Sequence, residues 1–234
     1  MATLLLRLGA PLQSWGSSSL YDRRETDNMP TKSGVIGLLA AALGRKRDES
    51  LEDLASLKFG VRIDLPGEKI EDFQVTHMGE KLNANLSRRV YLSDALFLVG
   101  LSCDDTDFLR KLESAVQKPE FAMFLGRRSC PPTLPLDLGI KELDLYHALL
   151  EQEWLLPEWR RESQFRFQNE VRLRIITDAD FTEENVATKK DVPVSFSPYN
   201  RQYRYRYMME RVPKVCTASV IAEELEHDPF KELE

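Results

Sequence analysis

Apolar residues along this chain fall into short blocks separated by polar stretches, and the spacing inside each block predicts its element. ATLLLRLG (Ala2 to Gly9) is a continuous apolar run, too short for a helix and broken by Gly9 and Pro11, and it reads as a buried strand. LQSWGSSSLYDRRETDNMP is polar, with Gly16 and Pro30 as breakers, and predicts a long loop. SGVIGLLAAALG is rich in Leu and Ala, has Thr31 or Ser33 before it as a cap and Gly44 as a stop, and predicts the first helix. LEDLASL adds a further helical turn or two, and KFGVRIDLPG a strand closed by Pro66 and Gly67. Between Glu68 and Arg89 alternation survives only at the ends of a segment with Lys81, Asn83 and Asn85 at its centre, the pattern of a protruding hairpin or arm. VYLSDALFLVGLSC is an interior strand. In DDTDFLRKLESAVQKP, Asp104 or Asp105 can cap, Leu109, Leu112 and Val116 share one helical face, and Pro119 ends the second helix. FAMFLG reads as a fourth short strand that delivers the chain to Gly126.

Strand, helix, strand, excursion, strand, helix, strand is the order of an α+β, ferredoxin-like (RRM-like) βαββαβ domain with both helices on one face of an antiparallel sheet. The expected organisation is therefore a core domain over residues 1–135 and a smaller β-rich C-terminal region over 136–234. In that region SQFRFQNEVRLRIITD and RQYRYRYMMERVP alternate as strands do, and the acidic EELEHDPFKELE is a peripheral tail.

Composition narrows the function. The longest apolar run, from Val35, is about half of what a bilayer span needs, which favours a soluble cytoplasmic protein with no membrane contact. Cys103, Cys130 and Cys216 lack metal or disulfide spacing, and His77, His147 and His227 form no paired motif, so no metal or other cofactor is expected. The net charge of -6 hides a segregation: residues 1–47 carry seven basic side chains against three acids, and residues 201–214 carry five against one. Such asymmetry suits a protein that meets a polyanion on one face.

Five segments carry candidate chemistry. In FLGRRSCPP, Gly126 permits an unusual turn while Arg127 and Arg128 present planar forks that match phosphate, or pair with a nearby carboxylate. PTKSGVIG lacks the spacing of a nucleotide-hydrolysing loop. Its helix N-terminus with Thr31, Lys32 and Ser33 favours an RNA phosphate, or is simply a cap. Trp15 in QSWG offers an aromatic face for a base or a partner, or packs in the core. Arg88 and Arg89 end the arm, where they can track a backbone. RYRYRY alternates cation and ring, so as a strand it places core on one side and solvent or phosphate on the other. No acid, base and nucleophile set is recognisable.

LLLRLGAPLQSWG, PTKSGVIGLLAAALG and FLGRRSCPP, in that order and separation over roughly residues 1 to 135, resemble the CasD family of the type I-E CRISPR surveillance complex, Cascade. The resemblance implies a ferredoxin-like core and a non-catalytic subunit that holds the 5′ handle of the CRISPR RNA. It also implies a thumb at about 74–90 folded over the neighbouring backbone subunit, the large subunit docked beside it, and target DNA engaged only through the complex. Handle contacts carry onto Trp15, Thr31, Lys32, Ser33, Arg88, Arg89, Gly126, Arg127 and Arg128. A related subtype cuts the CRISPR repeat without metal, using Tyr, Lys and His. Lys118 lies near the corresponding place, but Pro119 follows where a histidine is wanted. Repeat-processing endoribonuclease and RNA-independent scaffold are therefore the competing readings.

Overall fold

The computed structural model describes residues 1–16, 23–77 and 84–217. The middle of the arm, with Lys81 and Asn83, and the acidic tail from residue 218 lie outside the described residues. The chain is mixed α+β. A seven-stranded sheet has the order β10-β11-β9-β4-β7-β1-β8, formed by β1 (Ala2–Gly9), β4 (Lys58–Leu65), β7 (Leu96–Cys103), β8 (Asp137–Lys141), β9 (Glu170–Asp178), β10 (Ala187–Ser195) and β11 (Gln202–Thr217). Every pairing in it is antiparallel. A second sheet centres on β6 (Ala84–Ser93). It pairs with β5 (Glu68–His77) along its length, with β2 (Leu12–Gln13) at Leu92 and Ser93, and in parallel with β3 (Arg23–Arg24) at Arg88 and Arg89.

The unbroken apolar run of β1 is explained by helices on both faces of the main sheet. Leu4, Leu6 and Leu8 pack with Phe59, Val61, Phe97 and Val99 under α1 (Lys32–Ala42), α2 (Glu52–Ala55) and α3 (Thr106–Gln117). Leu5, Leu98 and Ile175 face the opposite way onto Leu145, Ala148 and Leu149 of α4 (Leu145–Glu151). A strand buried on both faces has no position at which a polar residue is free, so alternation disappears. The caps follow local chemistry: the Thr31 hydroxyl accepts from the Gly34 amide, the Asp105 carboxylate accepts from Phe108, and Gly44 leaves α1 at φ +74°.

Two segments depart from expectation. FAMFLG is not a strand, and β8 takes the place beside β1. The amides of Glu120 and Phe121 donate to the carbonyls of Ala42 and Ala41 at the end of α1, and Leu125 donates to Cys130 in a tight turn, so this segment's donors are spent on capping and turning. In the second half, Glu158–Phe165 is helix α5, so the alternation of Phe165 and Phe167 is not a strand and β9 begins at Glu170. β9 attaches to β4, so β9 to β11 extend the same sheet as β1.

Candidate nucleic-acid interface

Strand β6 brings Ser87, Arg89 and Tyr91 onto one face, because alternate residues of a strand point the same way. The loop carrying Gly126 and Arg127 closes over that face. The Arg127 guanidinium lies 4.6 Å from the centre of the Tyr91 ring, and its Nη2 donates to the Arg24 carbonyl at 2.7 Å. Pairing of β3 with β6 sets Arg23 beside Arg88 and Arg24 beside Arg89. Six arginines, at 23, 24, 88, 89, 127 and 128, are thus drawn into one neighbourhood by a two-residue strand, a hairpin and a loop.

Their environments differ. Arg128 is exposed, and Arg88 lies over the Phe73 ring at 4.8 Å with Glu71 at 3.8 Å. By contrast, Ser87 Oγ, Arg89 Nε and Arg127 Nη1 are shielded from solvent without a hydrogen-bond partner. Buried polar groups are normally paired, and leaving a donor unmade costs about 1–3 kcal/mol. These groups can donate to a ligand oxygen at little further desolvation cost. Burial pushes the Tyr91 phenol up, yet its net displacement is downward, because hydrogen bonds from Ser129 and Arg127, the Arg127 charge and Arg89 outweigh it.

Gly126 is what brings the loop this close. It sits at φ +86°, and a Cβ there would lie 1.5 Å from the Ser14 carbonyl oxygen. Ser14 in turn donates its amide to the Leu125 carbonyl, so the 9–16 and 121–135 loops are stitched together.

The other expected contacts take different roles. Trp15 is 1% exposed, its Nε1 donates to Gln13 Oε1, and its ring lies against Gly34, so it is a core residue and its face is not available to a base. It acts through its backbone: its amide donates to Thr26 and its carbonyl accepts from Asp27, which anchors the segment carrying Arg23 and Arg24. Thr31 is buried as the α1 cap. Lys32 is also buried. Its amide donates to Asp191, and its ammonium pairs with Asp178 at 3.1 Å. The N-terminus of α1 is thus met by a carboxylate of this same chain, which is why Lys32 does not present a free charge to phosphate. Ser33 is half-buried, with its hydroxyl on Thr31.

RYRYRY is also resolved by charge. Arg206 is the buried member, held by Asp191 and Asp178 at 2.7 Å each, while Tyr205 and Tyr207 are exposed. Lys32, Arg206, Asp178 and Asp191 form a neutral cluster that ties α1 to the C-terminal strands. Sequence reading missed Tyr91, and Arg23 with Arg24. The alternation of Ser87, Arg89 and Tyr91 was the one available signal. Among the described residues, no group of three or more His, Cys, Asp or Glu side chains is placed to share a metal ion, and no helix is long and apolar enough to cross a membrane.

Comparison with known proteins is consistent over most of the chain. The Cascade subunit CasD of the CRISPR system of Escherichia coli (strain K12) is 39% identical over 171 residues, which covers 64% of this chain and 76% of that protein. A solved structure described as a CRISPR RNA-guided surveillance complex superposes with a TM-score of 0.74 at 28% identity, covering 92% of this chain and 91% of that one. A second, described as the crystal structure of a Cas protein, gives 0.67 at 38% identity over 91% and 95% of the two chains. The family model described as CRISPR-associated protein (Cas_Cas5) matches residues 3–209. By that match the chain belongs to the Cas5 family of CRISPR-associated proteins, the family of the type I-E Cascade subunit CasD.

Proposed function

We propose that this protein is the non-catalytic Cascade subunit that holds the 5′ handle of the CRISPR RNA, acting in the cytoplasm. The observation that carries this reading is the set of shielded, unpartnered groups on Ser87, Arg89 and Arg127 inside a cluster of six arginines. Backbone-tracking interfaces for single strands combine such cation clusters with aromatic groups, and their affinity comes chiefly from phosphate. Gly126, Arg127, Arg128, Arg88 and Arg89 are the direct contacts in this proposal. Trp15, Thr31, Lys32 and Ser33 support them from beneath.

The order β8-β1-β7-β4, with α1 and α3 packed against the same core cluster, supports reading the first part of the chain as a ferredoxin-like unit with its last strand just beyond residue 135. The remainder, chiefly β9 to β11, is the smaller C-terminal region. The β5–β6 hairpin is the thumb. Phe73, Val75 and Leu86 are about half exposed on the face that also carries Arg88, opposite the face of Arg89, and form a surface for the backbone subunit beside the strand that Arg88 contacts. The large subunit docks beside it, and target DNA is met only through the complex.

The test is binding of handle RNA by the assembled complex across a salt series. Arg127→Ala with Arg128→Ala is expected to weaken binding and to flatten the salt slope by about 1.4, which is two phosphate contacts at about 0.7 each for a single strand. An unchanged slope with full RNA retention would favour the RNA-independent scaffold instead. Repeat RNA incubated with the purified protein addresses the endoribonuclease reading, for which cleavage lost in Lys118→Ala is the required result. Lys118 is exposed at the end of α3 with Pro119 after it.

A further inference from the structure

Tyr91 is 4% exposed and belongs to the main core cluster, so its position is set by packing rather than by the interface. From that fixed place it touches both arginines whose donors are unpaired. The Arg127 guanidinium lies over its ring, 4.6 Å from the centroid, and Ser129, Arg127 and Arg89 lie close enough to its hydroxyl to hold the phenol below its ordinary range. Arg127 is further tethered through Nη2 to the Arg24 carbonyl, which leaves Nη1 as its unpaired donor. Arg89 is left with its shielded Nε, two residues from Tyr91 on the same strand face. A free arginine loses side-chain freedom when it is fixed by a ligand, and a preorganised fork loses less.

We propose that Tyr91 is the positioning residue of this interface: it holds Arg89 and Arg127 in fixed poses so that Nε of one and Nη1 of the other serve a single phosphate of the bound strand. Ser87, on the same face, adds a hydroxyl to that seat. Arg88 and Arg128, which are exposed, contact neighbouring phosphates of the strand from the solvated rim. The interface has two tiers, a desolvated seat for one phosphate and an outer rim. This inference rests on the reading of the protein as the handle-binding subunit.

The experiment uses the assembled complex and handle RNAs in which one linkage at a time is replaced by a neutral methylphosphonate. In the unmodified protein one linkage should stand out, with neutralisation weakening binding about tenfold or more, the size of a charge-assisted hydrogen-bonded contact. Tyr91→Phe keeps the ring and removes the hydroxyl, and Tyr91→Leu removes both. The penalty at that linkage should shrink in Tyr91→Phe and fall to about twofold or less in Tyr91→Leu. The salt slope should fall by no more than about 0.7, the share of the one phosphate contact that is lost. A merely structural role for Tyr91 would weaken binding equally for every RNA and leave the linkage penalty intact, and that result overturns the proposal. Should Tyr91→Leu fail to assemble, an undiminished penalty in Tyr91→Phe overturns it equally. A protein for which no linkage matters would instead overturn the handle-binding reading itself, and Tyr91 positioning with it.

Discussion

Replacing Gly126 by alanine tests the geometry of the interface without touching a charge. The residue sits at φ +86°, where a side chain costs about 1–2 kcal/mol. Its new Cβ would also lie 1.5 Å from the Ser14 carbonyl oxygen, a backbone atom that cannot swing aside. Restoring a normal contact means moving the two loops apart by more than an ångström, which breaks the 3.1 Å bond from Ser14 to Leu125 at a further cost of about 1 kcal/mol. A loss of about 3 kcal/mol is the expectation, or roughly 6–12 °C in Tm for a chain of this size. Because Arg127 follows directly, its contact with Tyr91 should be lost as well, and handle RNA binding should fall with it. Gly126→Asn serves as the discriminating variant. Asparagine tolerates positive φ but still carries a Cβ, so it should rescue little. Thermal unfolding and RNA binding are both read for Ala and Asn, with the exposed Arg128→Ala as a control for stability alone. If Gly126→Ala melts within 2 °C of the unmodified protein and binds RNA normally, the close approach of these loops is not what shapes the interface.

Trp15→Ala should destabilise by about 3–5 kcal/mol as a large core truncation while leaving the salt slope of RNA binding unchanged; a stable variant with a selective loss of RNA would restore the stacking role. Asp191→Asn removes one carboxylate from the cluster with Arg206, Asp178 and Lys32 and should cost about 3–5 kcal/mol, measured by denaturant unfolding, because it leaves an uncompensated buried cation. Hydrogen bonds from Arg174 at 2.8 Å hold the Glu210 carboxyl below the usual carboxylate range. Since the folded value is the lower one, this pair's contribution is intact above about pH 4.3 and is lost as pH falls through the folded value. Both groups are half exposed, so the effect is about half a kcal/mol, and Arg174→Ala should remove it from the acid limb of a stability profile while leaving the rest of the curve's shape.

Sequence by itself determined the elements whose causes are local. The run of β1, the Thr31 and Asp105 caps, the facing leucines of α3 and the Gly126 turn are all readable within a window of a few residues. It also located the arginine pairs at 88–89 and 127–128, since a glycine before two forks or a basic pair on an arm is visible in one dimension. Only the tertiary structure decided which cations are available. Lys32 reads as a phosphate ligand until Asp178 and Asp191, 146 and 159 residues away, neutralise it, and Arg206 leaves the surface for the same two carboxylates. Trp15 likewise becomes core because Gly34 opens a space for its ring. Choosing β8 over FAMFLG required knowing that the end of α1 consumes the latter's amides. Charge, aromaticity and strand propensity belong to single residues. Pairing and desolvation belong to neighbours, and in a sheet that joins both ends of the chain those neighbours are far away in sequence.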